Sequence, residues 1–197
     1  MTKHLVVGLG NPEAAYAGTR HNVGSMVLDR IAEDRRVAFH TDRLAEVAQC
    51  VWRGQRIHLI KPTTYMNHSG KAVRYWMGQL RVSLPHVLVV VDDLSLPFGK
   101  LRLRSTGGSA GHNGLRSIET LLHTQTYSRL RVGIGASFPQ GKQAEFVLSA
   151  FSCHEASDLP AVLSAASDVV HSCCVEGVAV AMNRHNGSPN ALSLAKA

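Results

Sequence analysis

The run His86–Lys100, HVLVVVDDLSLPFGK, decides the architecture. Five consecutive apolar residues, Val87 to Val91, leave neither face of a strand polar, as at the centre of a parallel sheet covered by helices on both sides. Asp92 and Asp93 follow at its carboxyl end, where open α/β sheets collect their ligands.

The remaining elements fall around this strand. Upstream, a first strand over about Lys3 to Leu9 leads through a glycine-bearing loop to a helix over about Val23 to Asp34. In that helix Val23, Val27, Leu28 and Ile31 recur at helical spacing, and Asn22 is placed as N-cap. Two strands, about Glu46 to Arg53 and Arg56 to Ile60, share the tight turn RGQ and form a hairpin. Pro62 ends the second, and Ser69 or Gly70 opens a helix through about Leu80. Downstream, KLRLRS forms a strand. The loop Gly107 to Gly114 feeds a helix that buries Leu115, Ile118, Leu121 and Leu122, and RLRVGIG forms the next strand. A long helix over about Glu155 to Arg184 follows, with candidate breaks at Pro160 or Gly177. Strands alternating with helices, plus one hairpin, predict an α/β fold: a single-domain three-layer sandwich with a mixed, largely parallel central sheet flanked by helices.

At 197 residues the chain holds one unit of the usual size of about 150 residues, expected over 1–185 with a loose tail over 186–197. No apolar run reaches the roughly 20 residues that span a bilayer, and the first residues carry too short an apolar segment for a signal peptide. No membrane association and a cytoplasmic location are expected. Cys50, Cys153, Cys173 and Cys174 include no C-x-x-C pair and are read as reduced core thiols. His154 beside Cys153 and His171 near Cys173 match no closed tetrahedral pattern, so neither metal nor cofactor is expected. Lys and Arg number 21 against 14 Asp and Glu, a net charge of +7 that favours a polyanionic partner.

The loop after the first strand, GLGNPEAAYAGTRHNVG from Gly8 to Gly24, begins like a dinucleotide fingerprint and departs from it. Glu13 stands where the third glycine belongs, and a carboxylate there repels a pyrophosphate. This loop, Thr63 to His68 and Asp92 to Leu96 should meet beyond the carboxyl ends of the strands, with Gly107 to Gly114 joining them. They bring Asn11, His21, Asn67, Asp92 and Asn113 together, beside Tyr65 and the apolar Met66. A histidine oriented by an aspartate is the arrangement of a general base, and amides can stabilise a developing oxyanion without adding charge. No G-x-S-x-G elbow is present and the cysteines lie elsewhere, which leaves water as the nucleophile.

The segments GLGNPEAAYAGTRHNVG, KPTTYMNHSG, DDLSLPFGKLRLR, GGSAGHNGLRSI and RLRVGIG together resemble bacterial peptidyl-tRNA hydrolase, over about residues 3 to 150 and in the family's order. The resemblance implies a monomeric, metal-free, cytosolic α/β enzyme that cleaves the ester between a peptide and the tRNA 3′ ribose. It makes His21 the general base and Asp92 its orienter. Asn11, Asn67 and Asn113 then contact the peptidyl group or the tRNA end, and Tyr16 and Tyr65 line the same site. Arg104, Arg131 and Lys142 fall where the family keeps phosphate-holding cations, expected as a patch apart from the water-activating site. Departures from the family pattern lie at Glu13, Asp93 and Ser95. Two other readings stay open: a non-catalytic RNA-binding relative of the same fold, and a nucleotide enzyme using the Gly107 to Gly114 loop.

Overall fold

A computed structural model describes residues 1–187, so most of the expected tail, 188–197, lies outside the described residues. Seven strands form one sheet in the order β2-β3-β4-β1-β5-β7-β6. They are β1 (Lys3–Gly8), β2 (His40–Asp42), β3 (Ala45–Trp52), β4 (Gln55–Pro62), β5 (Val87–Asp93), β6 (Leu101–Arg104) and β7 (Ser128–Gly133). The inner four, β4, β1, β5 and β7, run parallel; β3 and β6 run antiparallel to their inner neighbours β4 and β7, and β2 pairs antiparallel with β3 at the far edge. β5 is buried along its whole length between β1 and β7, as its unbroken apolar run requires.

The helices are α1 (Val23–Arg35), α2 (Ser69–Leu80), α3 (Asn113–Leu122), α4 (Gln143–Val147), α5 (Cys153–Glu176) and α6 (Val178–His185). The pleat of β5 separates two cores. Leu88 and Val90 join Val27 and Leu28 of α1, Val170 of α5 and Ala181 of α6. Val89 and Val91 face the other way, towards Val73 of α2 and Leu115 and Ile118 of α3. The result is the expected three-layer sandwich, and no helix among the described residues is long and apolar enough to cross a membrane.

Several local expectations change. The hairpin turn is Arg53-Gly54, both with positive φ, the backbone that a two-residue turn between right-twisted strands demands. Asn22 precedes α1 without capping it: its amide accepts from Asn11 N and donates to Asn11 O, both at 2.9 Å. The N–H of Ser25, in the first turn of α1, goes instead to the carbonyl of Leu9. Pro160 lies inside α5 without ending it, because the burial of Val162, Ala166 and Val170 holds the helix on the sheet. The break falls at Gly177, φ +88°. β2 and α4 are short elements without a periodic signature. Asn186, assigned to the loose tail, bonds through its amide to both backbone groups of Leu103 and so completes the edge of β6. Of the cysteines, Cys153 is exposed, whereas Cys50, Cys173 and Cys174 are buried. Burial pushes the Cys173 thiol up to about 11, which makes it inert as a nucleophile.

One close contact positions the site. A Cβ on Gly24 would stand 2.3 Å from the carbonyl oxygen of Val90, so only glycine lets the first turn of α1 rest on β5. That contact sets the turn just before α1, residues Arg20–Asn22, beside the carboxyl end of β5.

Candidate active site

A cavity of about 900 Å³ opens at the carboxyl ends of the parallel strands. The loop after β1 contributes Asn11 and His21, the loop after β4 contributes Tyr65 to His68, and β5 contributes Asp92 and Asp93. The glycine-rich loop supplies Ser109 to Asn113, and the segment around α4 forms the outer wall with Val147 and Leu148. The meeting of the three predicted loops, joined by the fourth, follows from the parallel strands ending on one side of the sheet.

Asp92 sits at the floor with its side chain 2% exposed. Nδ1 of His21 lies 3.0 and 3.1 Å from its two carboxylate oxygens, in a ring that is itself 12% exposed. Nε2 of His112 lies 2.9 Å from Oδ1 of the same carboxylate. Burial alone would push the Asp92 carboxyl up. The charge and hydrogen bonds of His112 and His21 outweigh it and hold the group well below the usual carboxylate range. Asp92 is therefore an anion fixed between two imidazoles. With Nδ1–H of His21 donated to Asp92, Nε2 is the nitrogen left to take a proton.

His112 is a site residue that the sequence expectations do not include. It is the N-cap of α3, and its Nδ1 accepts the backbone N–H groups of Gly114 at 3.1 Å and Leu115 at 3.4 Å. A signal existed: His112 directly precedes a helix start in the same loop as Asn113, as His21 nearly does for α1. His21, Asp92 and His112 also bring three potential metal-ligand atoms within 4.8 Å of one another, which no linear spacing predicts. Their hydrogen bonds point to another use. Because Nδ1 of His112 accepts from the backbone, its proton resides on Nε2, and that nitrogen donates to Asp92 in place of offering a lone pair.

The three asparagines differ. Oδ1 of Asn11 accepts from Met66 N at 2.9 Å, which ties the first two loops together and leaves its NH2 as the donor on the cavity side. Asn67 and Asn113 are exposed on the wall, with no protein partner for either amide among the described residues. Met66 is buried and forms floor. Tyr65 is 56% exposed at the rim, and its hydroxyl donates to Glu13 at 2.5 Å. The residue that excluded a pyrophosphate thus bridges two loops.

The cation patch requires correction. Arg131 lines the cavity and is no part of a separate surface. It donates to Asp93 Oδ2 at 3.2 Å and to the Gly108 carbonyl at 2.7 Å, with its side chain 11% exposed. Alternation along β7 explains this, because Arg129 and Arg131 stand two residues apart and both reach the Gly108 carbonyl of the glycine-rich loop. Lys142 is exposed, outside the cavity wall, and paired with Glu145 at 2.6 Å. Arg104 is exposed on β6, also outside the wall. Tyr16, expected to line the site, does not reach the wall; its carbonyl accepts from Thr19 Oγ1 at 2.8 Å and holds the approach to His21. Asp93 and Ser95 complement each other, since Asp93 Oδ1 accepts from both the backbone and the hydroxyl of Ser95.

Fold and site together define an α/β-sandwich enzyme with a carboxylate-held histidine at the mouth of a parallel sheet. The family model described as peptidyl-tRNA hydrolase matches residues 5–193. A peptidyl-tRNA hydrolase of Cytophaga hutchinsonii is 48% identical over 184 residues, covering 93% of this chain and 98% of the relative. One from Thermosynechococcus vestitus is 46% identical over 191 residues, covering 93% of each. The crystal structure of peptidyl-tRNA hydrolase from Acinetobacter baumannii superimposes with a TM-score of 0.87 at 32% identity, covering 95% of this chain and 96% of that one. The chain belongs to the peptidyl-tRNA hydrolase family.

Proposed function

We propose that this protein hydrolyses the ester between a peptide, or an N-blocked aminoacyl group, and the 3′ ribose of tRNA, releasing tRNA for reuse. The observation that carries the mechanism is the contact of His21 Nδ1 with the buried Asp92 carboxylate. Asp92 keeps the proton on Nδ1, so Nε2 removes a proton from water as the water oxygen bonds to the ester carbonyl carbon. The carbonyl electron pair moves to oxygen, and amide N–H groups on the wall, from Asn11, Asn67 and Asn113, stabilise that oxyanion and orient the peptidyl group. Collapse re-forms the carbonyl and breaks the bond to the ribose oxygen, which takes the proton back from His21. Tyr65 and Met66 contact the substrate beside them, and the exposed Arg104 offers charge to a phosphate.

His112 donates to the same carboxylate and keeps Asp92 ionised while His21 cycles between its two states. In this reading the enzyme works as a cytoplasmic monomer without metal or cofactor. The decisive assay incubates the protein with N-acetyl-aminoacyl-tRNA and measures release of free tRNA. Turnover is expected, and stoichiometric binding without release would favour an RNA-binding relative.

A further inference from the structure

His21 is the middle residue of the turn Arg20–Asn22, and both of its neighbours are buried and committed elsewhere. Asn22 ties the turn inward, to the backbone of Asn11. Arg20 ties it outward. One guanidinium nitrogen, Nη2, meets Glu155 Oε2 at 2.6 Å, and Nη1 donates to Ser149 Oγ at 2.7 Å and to the Ala150 carbonyl. Its Cζ lies 4.3 Å from the ring centre of Phe146 and 5.4 Å from that of Phe151. The backbone follows the same path, with Arg20 N donating to the Ser149 carbonyl and Thr19 bridging to Ala150.

Everything Arg20 grips belongs to the outer wall of the cavity or to the chain just after it. Phe146 lies in α4 between the wall residues Ala144 and Val147. Glu155 forms the capping box of α5 with Ser152, so its carboxylate is anchored before Arg20 reaches it. A guanidinium suits this place because its planar fork makes several directed bonds at once while its face packs on an aromatic ring, which an ammonium cannot reproduce. The bonds start one residue from His21, which itself needs a defined direction towards Asp92.

We infer that Arg20 is a positioning residue: by locking the His21 turn to the segment Ser149–Glu155, it sets the imidazole against Asp92 and fixes the distance between the base and the outer wall. The inference rests on the reading of His21 as general base. Displacing a reacting group by about 1 Å can cost about a hundredfold in rate, whereas binding far from that group is spared.

The test uses Glu155→Gln and Arg20→Lys in the full chain. Glu155→Gln is the more discriminating because glutamine retains the capping-box hydrogen bond and loses only the ionic half of the latch. For variants with wild-type circular dichroism, kcat on N-acetyl-aminoacyl-tRNA should fall by about tenfold or more while KM and tRNA affinity stay near wild type. The downfield proton resonance of the His21–Asp92 hydrogen bond, assigned by its loss in His21→Ala, should shift or broaden. A folded Glu155→Gln enzyme with kcat within about twofold of wild type and an unchanged resonance would overturn the proposal. So would losses in kcat that merely follow the unfolded fraction in both variants. If His21→Ala itself retains activity, the base assignment fails first. An inactive His21→Ala beside a fully active Glu155→Gln sinks the latch alone.

Discussion

Asp92 and His21, 71 positions apart in the chain, meet with Nδ1 of the imidazole 3.0 Å from Oδ2 of a carboxylate that is 2% exposed. The direction of that contact leaves only Nε2 available to a water molecule. Replacing His21 by alanine should therefore lower the hydrolytic rate by about 10² to 10⁴, the range for loss of a general base, while tRNA affinity survives. Single-turnover hydrolysis together with a binding titration measures both. Retention of more than about half the activity would remove His21 from the mechanism.

Asp92→Asn should lower kcat without preventing folding, because an amide neither favours the imidazolium formed during the step nor fixes one tautomer. The wild-type rate should fall as pH drops and imidazole takes up a proton. Asp92 does not cause that fall, since its carboxyl is held below the ordinary range and stays ionised throughout. A carboxyl depressed in the folded state stabilises the fold above its unfolded pKa, and this contribution is lost as pH falls through the lower folded value. Acid melts of the asparagine variant should lack that component. A wild-type rate that is flat between about pH 5 and 8 would contradict a histidine base.

Arg131 and Arg104 should now behave differently. Arg131 bonds to Asp93 and to Gly108 beside the reacting centre, so Arg131→Ala should impair a short substrate ending at the terminal adenosine as well as full-length tRNA. Arg104 is exposed on β6 and outside the cavity wall. Arg104→Ala should weaken only tRNA, reducing the slope of log K against log salt by up to about one unit and raising KM more than it lowers kcat. Kinetics with both substrates at two salt concentrations separate the two residues. Equal damage to the short substrate by Arg104→Ala would remove it from phosphate contact.

Chelation should leave turnover intact. The proton on Nε2 of His112 is set by two backbone donors at Nδ1, so this nitrogen serves Asp92 as a donor. Prolonged EDTA treatment followed by a kinetic assay checks this. Complete loss restored by one divalent ion would show that the His21, Asp92 and His112 group binds metal.

The sequence by itself determined the layers and the side of the sheet on which chemistry occurs. Val87 to Val91 call for burial on both faces, the usual setting of a central strand in a helix-covered parallel sheet, and strands that run together end together, which brings Asn11, Met66 and Asp92 to one place. Local pattern carries this information because hydrophobic burial acts on every residue of an element and leaves its period in the chain. Only the tertiary structure decided how the site is held. His112 turned towards Asp92, Arg131 drawn to Asp93, Asn22 bonded to Asn11 in place of its own helix, and Arg20 locked to Glu155 are polar contacts of one or two hydrogen bonds between separate segments. A directional bond of that kind depends on where two backbones come to lie within a few tenths of an ångström. That placement is set by packing, such as Gly24 against Val90, and leaves no periodic trace in the residues it joins.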